Sequence, residues 1–334
     1  MGYSKIAMNK KILERIIKKS GCSELFNILA KKLSLTDLQS LLLEVYRERA
    51  GAISASAVFE QYKKNRFVKP AATAPQKFIE FDQKAFSLMP KGFEAVELSP
   101  AAPLGSCSAA GYVDQNNVLT TIRNTEVCAD STNAMALECA LRRQRILAEN
   151  PKSAEEIKLC ASHRVLRTQQ FDEPAAFPHF RLFALCSAGR DSGSFEFEIN
   201  SLSEHLAYFI SLFEAFKEAG YTNKKVRINI KTAGKTLKKK IREEVIEAVN
   251  SYYPEIGFEI EAGLKKNGYY DNLRYNIFIS GLDNKEFFIV DGGTTDWTRR
   301  FLGSRKERFF ISGMGSERFV FCFGSDEIID TSGH

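Results

Sequence analysis

Apolar residues recur at helical spacing through the first 65 positions: Ile12, Ile16 and Ile17, then Leu25, Phe26, Leu29 and Leu33, then Leu41, Leu42 and Val45. This pattern predicts helices, the third opening at Ser34-Leu-Thr36 with Thr36 as its cap. Pro70-Ala-Ala-Thr-Ala-Pro75 reads as a linker, and a helix is predicted over 76–88. After Pro90-Lys-Gly92 the texture changes. Residues 93–98 alternate and stop at Ser99-Pro100, an edge or terminal strand position. A helix over 132–148 leads into a strand over 157–169. Residues 201–219 put Leu202, Leu206, Phe209, Ile210, Phe213 and Phe216 on one helical face. Residues 225–231 alternate as a half-buried strand, and Leu237, Ile241, Val245 and Ala248 mark another helix. Strand-like runs follow at 256–261, 273–280, 286–291 and 308–312, two of them joined through Gly281-Leu-Asp-Asn-Lys285. Hairpin-paired strands with helices on them predict an α+β fold with an antiparallel sheet. It spans residues 76–325 and follows a small helical module over 1–70.

Composition narrows the class. With 44% hydrophobic and 26% charged residues the chain is of ordinary globular type. No apolar run approaches the ~20 residues that cross a bilayer, so no membrane partner is expected. Residues 1–20 offer no hydrophobic signal region or cleavage site. Seven cysteines without a Cys-x-x-Cys pair, and four histidines apart from them, predict reduced thiols in the cytoplasm, buried at Cys128 and Cys186, and no zinc site. The net charge of +6 is uneven: residues 1–70 hold 14 Lys/Arg against 6 Asp/Glu, which leaves the rest at −2. A solvated helical surface explains that surplus, and RNA binding through it and through the Lys235, Lys238–Lys240 and Arg242 face is the alternative.

Three segments suggest nucleotide chemistry. Gly313-Met-Gly315-Ser-Glu-Arg318 follows an apolar strand, and an arginine at the start of a helix is suited to phosphate. Arg167 ends one predicted strand, and Phe180-Arg181-Leu182-Phe183 opens its return. A guanidinium on one arm and a phenyl ring on the other could hold a phosphate and a purine, Arg167 on the first and Phe183 on the second. Each residue also has a plain structural use, as an ion-pair arginine or a core phenylalanine. Glu196 and Glu198 are read as sharing a strand face. Trp297, Arg299 and Arg300 are read as surface.

The ordered set resembles the catalytic core of class II aminoacyl-tRNA synthetases, most of all the histidyl-tRNA synthetase branch with its paralogue, the ATP phosphoribosyltransferase regulatory subunit. Gly92 to Pro100 is similar to the family's first, dimer-interface motif. Asp130-Ser-Thr132 is similar to its Pro-Glu-Gly-Thr turn, Gly268-Tyr-Tyr270 to its Asp-Tyr-Tyr segment, and Asp291-Gly-Gly-Thr-Thr-Asp296 to its Gly-Gly-Arg-Tyr-Asp segment. The resemblance implies ATP and Mg²⁺ as cofactors. ATP would meet Arg167, Arg181, Phe183, Gly313, Gly315 and Arg318, with Glu196 and Glu198 carrying the Mg²⁺. An amino acid or small carboxylate would lie against Asp130, Thr132, Leu185, Tyr269 and Tyr270. Arg167, Arg318 and Lys265 would be catalytic, and a homodimer with tRNA or a partner enzyme would be the assembly. Departures fall mainly in the amino-acid pocket: Gln169, Lys265, Gly268, Leu185 and Asp130 replace the branch's Glu, Arg, Asp, Gln and Glu. No anticodon-binding domain is expected after residue 325. Two activities follow as expectations: an adenylate-forming ligase of altered specificity, or a regulatory paralogue without turnover.

Overall fold

The computed structural model describes residues 10–169, 177–265 and 269–324 of the 334. The opening segment is helical, as the periodicity predicts: α1 (Lys10–Ser20), α2 (Leu25–Asn27) running into a π-turn, α3 (Leu35–Gly51) and α4 (Ala55–Lys64). The cap of α3 is Ser34 rather than Thr36, because its Oγ accepts from the Asp37 N–H at 3.0 Å. None of these helices buries a side chain. Ile12, Ile16, Val58 and Phe59 stand exposed on them. Pro75 occupies the first turn of α5 (Pro75–Ser87), where its missing N–H costs nothing.

The core begins with the short strands β1 (Phe93–Ala95) and β2 (Ala101–Pro103), then α6 (Ser106–Gly111) and β3 (Thr125–Val127). Helix α7 (Ser131–Glu149) precedes the long hairpin of β4 (Ile157–Leu166) and β5 (His179–Arg190). Then come α8 (Glu196–Glu218), β6 (Lys225–Thr232), α9 (Lys235–Lys240), a π-turn, α10 (Glu247–Tyr252) and β7 (Gly257–Ala262). The chain closes with β8 (Leu273–Ser280), β9 (Glu286–Thr295), α11 (Trp297–Leu302), β10 (Glu307–Met314) and α12 (Ser316–Phe323). No described helix is long and apolar enough to cross a membrane.

Eight strands form one sheet in the order β1-β4-β5-β10-β9-β8-β6-β7, antiparallel except where β1 and β7 join its edges in parallel. Side-chain alternation gives the sheet two unlike faces. On one face Phe183, Leu185, Phe310, Met314, Tyr275 and Ile277 pack against α8 with Phe209 and Phe213. On the other, Ala161, Ala184, Cys186 and Ile311 pack against α7 through Met135, Ala136 and Cys139. Burial raises the thiols of Cys128 and Cys160 to about 12, as expected of small apolar residues rather than nucleophiles. Gly292 and Gly293 let β9 lie flat between its neighbours. A Cβ at Gly292 would stand 2.5 Å from the Ile311 carbonyl, and one at Gly293 would collide with that of Leu273.

Candidate functional site

The α7 face is where polar groups gather. Asp130 caps α7: its Oδ1 accepts from the Thr132 N–H at 2.9 Å and the Thr132 hydroxyl at 2.8 Å. Its Oδ2 accepts from the Tyr269 hydroxyl at 3.0 Å and lies 3.6 Å from Arg167 Nη2. Arg167 donates through Nε to the Ala129 carbonyl at 2.9 Å, and its guanidinium lies 5.2 Å from the centre of the Phe180 ring. Tyr270 donates to Asp291 Oδ2 at 2.9 Å, and Arg274 lies over the Tyr270 ring at 5.5 Å. Burial raises the Asp291 carboxyl above the usual range, while the Tyr270 hydroxyl, Arg274 and Arg167 pull it back. A water-sized cavity of about 20 Å³ sits beside this group, lined by Asp130, Asn133, Arg167 and Gln169 among others.

Strand register explains why this patch is open. One row across the sheet reads Asn229, Asn276, Asp291, Gly313, Ala184, Ala161. Half of it is polar and half is small, so the row forms a trough. A Cβ on Gly313 would point at Leu182 and at Asp291 Oδ1, 3.7 and 3.9 Å away. Arg167 leaves the end of β4, Phe180 begins β5 and Arg318 follows the end of β10, so all three lie at one end of the sheet. There Arg318 donates to the Phe288 carbonyl at 3.3 Å. Gly315 anchors that turn by donating to Ile289 O at 3.0 Å.

Several expected residues lie elsewhere. Phe183 and Leu185 point into the α8 core and are wholly buried, so neither reaches a ligand on this face. The Phe183 ring is packed among Phe81, Phe86 and Tyr208 instead. Arg181 shares that side of β5 and is held by Asp82 at 2.7 Å. Glu196 and Glu198 open helix α8 rather than a strand, so two residues apart they diverge. Glu196 is exposed, whereas Glu198 is buried 3.5 Å from Arg308. They do not form a shared Mg²⁺ site, and among the described residues no group of three His, Cys, Asp or Glu could hold a metal. Lys265 is exposed beyond β7, and Gly268 lies outside the described residues. Trp297 is fully buried, edge-on to Tyr269 at 5.3 Å, and Arg299 pairs with Asp271. Trp297 is therefore not a surface residue and Arg299 is half-buried, whereas Arg300 is exposed as expected. Phe180, Arg274, Asn276 and Asp291 carry the face without having been singled out for it. Counting alternation outward from Ala184 and Cys186 would have found Phe180.

No protein-family model matches this chain, and no curated protein matches it in sequence. Solved structures do match. The apo histidyl-tRNA synthetase of S. aureus superposes with a TM-score of 0.56 at 14% identity, over 76% of this chain and 69% of that one. An ATP phosphoribosyltransferase regulatory subunit/histidyl-tRNA synthetase from Bacillus halodurans gives 0.55 at 13% identity, over 79% and 84%. A histidyl-tRNA synthetase from Nostoc sp. gives 0.51 at 14%, over 76% and 74%. The fold is histidyl-tRNA synthetase-like, of class II. In this class II core the sheet order and the two faces described above are the scaffold. Identities this low establish the scaffold, and the activity has to be argued from the side chains.

Proposed function

We propose that the chain binds ATP and an amino acid or related small carboxylate on the α7 face and joins them as an acyl-adenylate. The observation that carries this reading is the convergence of Arg167, Phe180 and Arg318 at one end of the sheet, beside the Asp130–Tyr269 and Tyr270–Asp291 pairs. Phe180, half-buried and already against a guanidinium, takes the base-stacking role expected of Phe183. A substrate carboxylate oxygen attacks the α-phosphorus, the bond to the bridging oxygen breaks, and pyrophosphate leaves. Arg167 offsets charge that builds on the α-phosphate, and Arg318 anchors the nucleotide. Asp130 and the Tyr269 hydroxyl orient the substrate's ammonium group. A Mg²⁺ ion finds no fitting carboxylate pair at Glu196 and Glu198, so no step is assigned to one. In this reading a tRNA or a partner enzyme receives the acyl group, and the assembly is a homodimer.

One observation favours a second reading. With Leu185 turned into the core and Glu198 held by Arg308, the chain lacks two groups expected at the reacting centre. A regulatory paralogue would keep the pocket without turnover. ATP–pyrophosphate exchange across the twenty amino acids separates the two. Exchange with one amino acid supports adenylate formation. Calorimetric binding of ATP with no exchange by any amino acid contradicts it and leaves the regulatory reading.

A further inference from the structure

Among the donors on the α7 face that have no acceptor, two stand on the sheet itself, on one strand. Arg274 Nε and Asn276 Nδ2 are both shielded from water and unpartnered. They stand two residues apart on β8, so they share a face of that strand. Register sets Asn276 between Asn229 and Asp291, and Arg274 between Lys231 and Gly293. Gly293 presents no side chain at that point, and Asp291 is already engaged by Tyr270. A buried donor left without a partner destabilises the fold. Two of them in one trough mark a place kept for something that accepts. Arg274 offers only donors and Asn276 an amide N–H, so the pair suits a negatively charged acceptor, which the Arg274 cation holds against the neighbouring Asp291 carboxylate.

We propose that Arg274 and Asn276 form an oxyanion subsite that grips a phosphate or carboxylate of the ligand directly, without a bridging metal. This rests on the reading that the α7 face is the ligand site, and it adds which group of the ligand is held and by what. Arg274 supplies charge and a fixed N–H direction, stiffened by its stacking on Tyr270. Asn276 supplies a neutral N–H next to Asp291, where a carboxylate side chain would repel the same oxyanion.

The test uses the full chain in buffer containing EDTA. ATP, inorganic pyrophosphate and each of the twenty amino acids are titrated calorimetrically into the parent, Arg274→Met and Asn276→Asp. Arg274→Met keeps a stem over Tyr270, and Asn276→Asp keeps volume while turning the donor into an acceptor. Thermal unfolding is followed on the same samples. At least tenfold weaker binding of ATP and pyrophosphate by both variants identifies the oxyanion as phosphate. The same loss confined to an amino acid identifies it as a carboxylate. Arg274→Met removes an unsatisfied donor but also the cation beside Asp291, so its melting temperature is read together with its binding. A clear fall in its melting temperature with unaltered binding would show a structural arginine and overturn the inference. Parent-like titrations in both variants overturn it too, leaving the ligand site itself standing. A parent that binds none of the probes removes both.

Discussion

Phe180 and Phe183 stand three residues apart on β5 and live in different surroundings. Phe183 has no exposed surface and lies among the rings of Phe81, Phe86 and Tyr208. Phe180 faces the opposite way, half-buried under the Arg167 guanidinium. The whole sheet divides along the same line. Its α8 face is aromatic and closed, and its α7 face has small residues, carboxylates and strand donors without acceptors. In the proposed reading, strands shared by both faces separate stability from binding by alternation. Substitutions should respect that separation.

The largest effect belongs to the closed face. Phe183→Ala should destabilise the chain by about 3–5 kcal/mol, since it opens a cavity among Phe81, Phe86 and Tyr208. Phe180→Ala should cost about 1 kcal/mol or less and weaken nucleotide binding instead. Chemical denaturation measures the first and calorimetry the second. Equal destabilisation by the two would erase the distinction between faces.

A smaller effect comes from His205, wholly buried on the closed face against Phe93 and Phe310. His205 faces Ser187 Oγ at 3.0 Å and Ser312 Oγ at 2.6 Å, and burial holds its pKa at about 3. The unfolded imidazole titrates near 6.5. Between those values the unfolded chain binds the extra proton, so stability falls as pH drops from about 6.5 towards 3. The slope from this group is ~1.4 kcal/mol per pH unit. His205→Gln should lose that increment, which unfolding curves of the two proteins at pH 7 and pH 5 will read as a shrinking difference. A constant difference would show that His205 is charged in the fold.

Gly313→Val is expected to change stability by about 1 kcal/mol at most, because its Cβ would meet Leu182 and Asp291 at ordinary contact distances. It fills the trough, so binding of ATP or of the amino acid should be lost. Retained binding would move the ligand away from this row. The smallest effect is at the surface: Val58→Ser, on an exposed position of α4, should shift stability by about 0.5 kcal/mol or less.

The sequence shows most of the architecture because periodicity marks where apolar faces begin and end. The helices of the opening module, the hairpin over residues 281–285 and the α+β class were all legible from it. The synthetase-like fold was legible from the order of short motifs. The site was only half legible. Arg167, Asp130, Tyr269 and Tyr270 lie together in the structure. Phe183 and Leu185 do not join them, because a one-residue shift in a strand sends a side chain to the other face. In β5 both faces are apolar, so hydrophobicity could not decide which was which. Glu196 and Glu198 failed for a related reason: a pair two residues apart converges on a strand and diverges on a helix, and the segment is helical. Arg274 and Asn276 were invisible because an unpartnered donor is a property of neighbours brought together by register, not of the local sequence.

Calorimetric titration of ATP into the parent, Arg167→Ala and Phe180→Ala, with Phe183→Tyr as a variant of the closed face, is the most direct test of an ATP site on the α7 face. Binding to the parent, at least tenfold weaker binding to both substitutions on the α7 face, and parent-like affinity in whatever fraction of Phe183→Tyr is folded are the expected results. Undiminished binding by Arg167→Ala and Phe180→Ala together would contradict an ATP site there.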